Sequence, residues 1–251
     1  MYKDHVIFTK PKNLNVRIWR YMDFTKFLFL LTRNELFFPR ADRLGDPFEG
    51  SFSKKNIEKR PEYYAGIGKE LPEMLKSLGD YHKFLLFFTF INSWHLNDYE
   101  SAAMWKIYIQ KGEGIAIQST FTRLCNSFAR SDKDIFVGCV NYSDYEEDWI
   151  PEDNSLAPFL HKRKSFEYEN EVRAIFHDFP SGEGEIKSSQ ILIFKERKGI
   201  YIPVDLSVLI ENIYVSPASS DWFIELVQSI IKKFNLTFEV KRSRLEGDPV
   251  Y

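Results

Sequence analysis

Three stretches of the chain gather side chains that could do chemistry. In Glu167-Tyr168-Glu169-Asn170-Glu171-Val172-Arg173, three carboxylates and a guanidinium stand at alternate positions. Read as an extended strand, these four side chains share one face, while Phe166, Tyr168, Val172 and Ala174 share the other. Neighbouring carboxylates repel unless cations or solvent compensate them. The stretch is therefore either a solvated strand face, with Arg173 pairing a neighbour, or a carboxylate set in a cleft. In a cleft, Glu169 or Glu171 would orient a ribose hydroxyl or act as a base.

The second stretch is Glu100-Ser101-Ala102-Ala103-Met104-Trp105-Lys106-Ile107-Tyr108. On a helix, Ser101, Trp105 and Tyr108 fall on one face, and the free amides of the first turn favour an anion. It is either a packed helix with Trp105 in the core or a site for a phosphate or base. The third comprises Arg17-Ile18-Trp19-Arg20-Tyr21 and Arg40-Ala41-Asp42-Arg43-Leu44-Gly45-Asp46-Pro47-Phe48-Glu49. Arg17 and Arg20 take opposite faces of a strand, so at most one enters a given cleft. Asp46-Pro47 sets an extended turn that presents Asp46 and Glu49, or that serves only as a turn.

Other chemistries lack their patterns. His5, His82, His95, His161 and His177 form no HExxH or i, i+4 metal pair, and no zinc-finger spacing occurs, so no metal site is expected. Gly66-Ile67-Gly68-Lys69 lacks phosphate-loop spacing, and neither GxGxxG nor a GxSxG elbow is present. No PD-(D/E)xK spacing supports a nuclease. With 34 basic and 36 acidic residues the net charge is −2, which excludes a globally basic nucleic-acid binder but leaves local patches open. Cys125 and Cys139 form no CxxC pair, a usage that suits a reducing, cytoplasmic setting. No signal-like leader or 18-residue apolar run occurs, so neither secretion nor a membrane partner is expected.

These residues must be positioned by a scaffold of 251 residues that is 44% hydrophobic and 16% aromatic. Strands are predicted at 16–21, 35–38, 83–91, 114–119, 135–142, 170–176, 190–194, 200–204, 213–216 and 237–240. Helices are predicted at 24–33, 99–110, 121–129 and 221–233. Asp23 would cap the first, Asn34 would close it in the left-handed conformation, and Ser219 or Ser220 would cap the last. The polar segment 54–82 is expected to hold two short helices and to act as a mobile insertion, and 144–153 and 182–184 read as a loop and a turn. Strands and helices interleave without a βαβ rhythm. The expected architecture is one α+β domain spanning residues 1–251, a mixed β-sheet with packed helices.

Taken together, Arg20-Tyr21, Gly45-Asp46-Pro47-Phe48-Glu49, the Ser101 to Tyr108 helix and Glu169-Asn170-Glu171-Val172-Arg173 resemble the bacterial family known as domain of unknown function 2971, over about residues 16–216. Gly45 departs from the Asn of that family's pattern. The resemblance implies little about activity, although members look similar to proteins found near phage-defence and abortive-infection genes. The chain order Arg20, then Ser101 with Tyr108, then Glu169 or Glu171 is also similar to that of ADP-ribosyltransferases. By that analogy Arg20 would meet a pyrophosphate, Trp105 or Tyr108 would stack on a ring, and Glu171 would sit at the ribose, with NAD as the cofactor or substrate. The competing expectation is a non-catalytic sensor or antitoxin-like module that binds protein or nucleic acid. A cleft holding Arg20 and Glu171 together would favour the enzyme. Convergence of Arg17, Lys162, Arg163 and Arg242 on one surface would favour nucleic acid.

Overall fold

The chain's strongest local signals are realised as written. The β-branched and aromatic run Arg17–Asp23 forms strand β2. Asp23 ends it and accepts the Lys26 amide at 2.8 Å, which starts helix α1 (Phe24–Arg33). Asn34, at φ 54°, closes that helix in the left-handed conformation, and Phe27, Leu30 and Leu31 bury its inner stripe. Helix α7 (Asp221–Lys233, numbered in the order given below) does the same with Phe223, Val227 and Ile231, although the Ser220 hydroxyl makes no capping bond.

The computed structural model describes residues 1–109, 112–180, 196–217 and 219–246. In chain order the remaining elements are β1 (Tyr2–Lys3), β3 (Glu35–Pro39), α2 (Lys54–Tyr63), α3 (Leu71–Leu85), β4 (Thr89–Leu96), α4 (Ala102–Tyr108), β5 (Gly114–Thr120), α5 (Phe121–Ser127), β6 (Ile135–Cys139), β7 (Asn141–Ser143), β8 (His161–Arg163), β9 (Glu171–His177), β10 (Gly199–Pro203), α6 (Leu206–Leu209), β11 (Asn212–Val215) and β12 (Glu239–Arg242). Among the described residues, eight strands make one mixed sheet in the order β1-β6-β9-β4-β2-β5-β11-β12. Its interior ladders are antiparallel and its two edge pairs, β1–β6 and β11–β12, are parallel. Two ribbons accompany it, β3 with β10 antiparallel and β7 with β8 parallel. This is the α+β, mixed-sheet architecture expected from the interleaved elements.

Alternation along the strands separates the two faces. On one face, Ile18 and Met22 of β2, Trp94 of β4, and Val172, Ala174 and Phe176 of β9 join a continuous core beneath α1, α5 and α7. The other face carries two separate clusters. Trp19, Tyr21, Trp105, Ala116 and Tyr214 pack under α4, while Leu85, Ile91, Phe159, Leu160 and Ile175 pack around the end of α3. The strip between these clusters is polar.

Several predicted boundaries move. Residues 83–91 are not one strand: Lys83 to Leu85 finish α3, and the strand starts at Thr89. The predicted helix 99–110 is the shorter α4, capped by the Ser101 hydroxyl on the Met104 amide, and Gln110 lies outside the described residues. Residues 135–142 divide into β6 and β7. The extended reading of 167–173 fails at its first half. Lys164–Glu169 is a 3-10 turn, Asn170 closes it at φ 38°, and the strand begins only at Glu171. The turn predicted at 182–184 and the strand at 190–194 lie outside the described residues.

Candidate functional site

The polar strip is built by register. In the β4–β9 ladder, Ile91 faces Ile175, Ser93 faces Arg173 and His95 faces Glu171, so apolar pairing gives way to polar pairing within two steps. Arg173 is the hub. Its guanidinium is 1% exposed and takes Glu49 in a two-pronged pair at 2.5 and 2.9 Å, Glu171 at 3.0 Å and the Phe159 carbonyl at 2.7 Å. Lys162 of β8 bridges Glu171 at 3.3 Å to Glu169, with which it makes a short ion pair. The resulting order is Glu49, Arg173, Glu171, Lys162, Glu169, in which carboxylates and cations alternate. Burial alone would raise the Glu171 carboxyl. Arg173, Lys162 and the Ser93 hydroxyl outweigh it and hold the group at about 2, so it is ionised at neutral pH.

Beside this network the sheet forks. β2 pairs with β5 over seven residues and β4 with β9 over seven, yet β2 and β4 meet only at Ile18–Leu96 and Trp19–His95. Past that point the two strands separate and leave a cleft of about 710 Å³. Its lining comes from both faces of the sheet, with Glu171 and Tyr108 on one side and Thr25 and Phe29 of α1 on the other. A volume of this order suits a ligand of cofactor size.

Besides the Nε of Arg173, two groups in the cleft are short of partners among the described residues. Arg20 projects from β2 into the fork, donates to the Ser93 carbonyl at 2.6 Å and lies 6.0 Å from the Trp94 ring centroid. Among the described residues no carboxylate lies within ion-pair distance of it. Desolvation pulls its guanidinium down to about 10, which leaves it cationic at neutral pH. The second group is His95, 8% exposed. Its Nδ1 lies 2.6 Å from the Glu169 carbonyl, which can only accept, so Nδ1 carries the proton. Nε2 is buried and has no hydrogen-bond partner among the described residues. Tyr108 stands between the two zones. Its hydroxyl is raised by desolvation and then by Glu169 and Glu171, and it also feels Arg20 and Lys162.

Of the residues singled out in the sequence, Arg20, Tyr108, Glu169, Glu171 and Arg173 line this cleft. Ser101, Trp105, Asp46 and Glu49 do not. Ser101 caps α4 and gives its amide to the Tyr21 hydroxyl at 2.8 Å; Trp105 is buried, with its indole N–H on Glu100 at 2.9 Å. Asp46 holds its own turn through the Phe48 amide and pairs with Arg163 at 2.9 Å, and Glu49 supports Arg173. The sequence does not single out Ser93 or His95 as cleft residues, and it offers Lys162 for a nucleic-acid surface, whereas the structure places all three in the cleft. The signal the sequence carries is Ser93 and His95, polar residues at alternate positions of β4.

The arrangement can hold an anion at Arg20, hydrogen-bond ligand hydroxyls at His95 and Glu171, and set negative charge against a developing cation. No family model matches the chain, and neither a curated protein nor a solved structure does.

Proposed function

We propose that the cleft binds a nucleotide and that the protein is an NAD-directed transferase or hydrolase of ADP-ribosyltransferase type. One observation carries this reading: Arg20, a cation with no carboxylate partner among the described residues, and an ionised carboxylate, Glu171, line a single cleft of about 710 Å³. The cations that would build a nucleic-acid surface have local partners instead. Arg17 donates to the Asp98 carbonyl, Arg163 pairs with Asp46, Lys162 with Glu169 and Glu171, and Arg242 with Asp221. The resemblance to domain of unknown function 2971 would add a phage-defence setting to the activity.

In the proposed reaction the bond between ribose C1′ and the nicotinamide nitrogen breaks, and the electron pair leaves with neutral nicotinamide. Positive charge then develops on the ribose. Glu171 opposes that charge and accepts a hydrogen bond from a ribose hydroxyl, while Arg20 holds phosphate. A water or an acceptor hydroxyl adds to C1′ and releases a proton. In the test, nicotinamide release from NAD is followed together with thermal stability. NAD at about 100 times its dissociation constant should add about 2.7 kcal/mol, or roughly 5–11 °C. Glu171→Gln should keep much of that shift and lose turnover. A flat response to NAD, ATP, cyclic nucleotides and short single strands would overturn the reading in favour of a protein-binding module.

A further inference from the structure

We propose that Phe29, Phe37 and Tyr201 form a shelf that takes the planar base of a nucleotide whose phosphate lies on Arg20. The inference rests on the nucleotide reading of the cleft and adds a subsite to it.

The β3–β10 ribbon turns one face inward. Leu36, Phe38, Ile200 and Ile202 all join the main core. A ribbon with a solvated outer face is expected to carry polar residues there. This one places Phe37 opposite Tyr201 instead, with ring centroids 4.9 Å apart. Phe29, from the outer side of α1, meets Tyr201 at 5.1 Å. Phe29 is 43% and Tyr201 38% exposed, and all three rings line the same cleft as Arg20. An exposed cluster of rings inside a cleft gives up burial that the core could have used, which is the usual mark of a binding surface.

Two further features show that the shelf is built. The Phe37 ring lies over Gly199, where a Cβ would come within 2.3 Å of it, so the ring keeps its position only while residue 199 lacks a side chain. Arg33 lies 4.9 Å from the Tyr201 centroid and 5.4 Å from that of Phe29, and its Nε is held by Glu35 at 2.6 Å. A cation against one side of a ring pair leaves the remaining ring surface for a second planar group. Lys26 and Arg43 line the same cleft, each beside a carboxylate of its own, Asp23 at 2.8 Å and Asp42 at 4.0 Å. A flat heteroaromatic group attached to phosphate satisfies rings and cations together.

The probes are AMP, NAD and ribose 5-phosphate, titrated calorimetrically into the full chain and a Phe29→Ala/Tyr201→Ala variant. Both side chains are exposed, so the variant should keep the wild-type melting temperature within a few degrees. AMP and NAD should bind it on the order of 10- to 100-fold more weakly, the loss expected when a base gives up aromatic stacking. Ribose 5-phosphate, which has no base, should bind both proteins alike, and Tyr201→Phe should keep wild-type affinity for AMP. Equal NAD and AMP affinity in wild type and double variant would overturn the shelf while leaving the nucleotide reading intact. Failure of both AMP and NAD to bind the wild type would overturn both.

Discussion

Arg173 carries a full charge in a place with almost no water, and two carboxylates make that tolerable. Burial lowers the pKa of a guanidinium; Glu171 and Glu49 more than reverse this and raise it. Removing the hub leaves two buried anions without their main partner, so Arg173→Met should cost about 3–5 kcal/mol. The melting midpoint should fall by roughly 6–20 °C. Adding Glu49→Leu should recover part of that loss, because the more deeply buried of the two stranded charges goes with it; a loss that simply adds would refute the coupling. Glu171 gives a second prediction, with its sign set by linkage. Its carboxyl is held at about 2 in the folded chain against an ordinary 4.5, so its contribution is present above about pH 4.5 and disappears as pH falls towards 2. Thermal melts between pH 5 and 2.5 should show a steeper decline for the wild type than for Glu171→Gln. Parallel curves would place the proton elsewhere.

At the level of elements, the loop that delivers Glu49 depends on the residue after it. Gly50 sits at φ +68°, and a Cβ there would approach the Phe159 ring to 2.3 Å. Gly50→Ala should therefore destabilise by roughly 2–4 kcal/mol through left-handed strain and overpacking, seen as a midpoint lower by about 5–15 °C. The same site shows what local sequence conveys and what it does not. Asp23 and Asn34 are legible as helix ends because cap chemistry is local, and the stripe of α7 is legible because its period is. The run Lys83 to Ile91 misleads because it is apolar throughout and contains both the end of α3 and the start of β4, which periodicity cannot divide. Asn170 looks like one more strand residue, yet its left-handed conformation turns Glu167 and Glu169 off the strand line. Glu169 still reaches the site, but from the turn, through Lys162. The Glu49–Arg173 pair joins residues 124 positions apart, a separation at which no pattern in the sequence signals contact.

At the scale of the molecule, the sheet has two well-paired halves joined at a narrow seam. β2 and β4 share two residue pairs, so the cleft is a consequence of topology, and its walls include strand edges as well as side chains. Along β4, the groups of Leu96 face β9, where its amide meets the Asn170 carbonyl, so those of Ser93 face the fork; Arg20 takes the Ser93 carbonyl there. By the same alternation, the Arg17 carbonyl accepts the Asn97 amide, and Tyr21, in phase with Arg17, also turns its backbone towards the fork. A ligand seated at Arg20 would screen these edges from water and hold the halves together. Hydrogen exchange should therefore slow at the Tyr21 and Ser93 amides when NAD is added, with little change at Val137 and Ala174, which face each other in the β6–β9 ladder away from the fork. Protection confined to the outer surface of α7 or β12 would put the ligand outside the fork and break the link between the sheet's topology and its site.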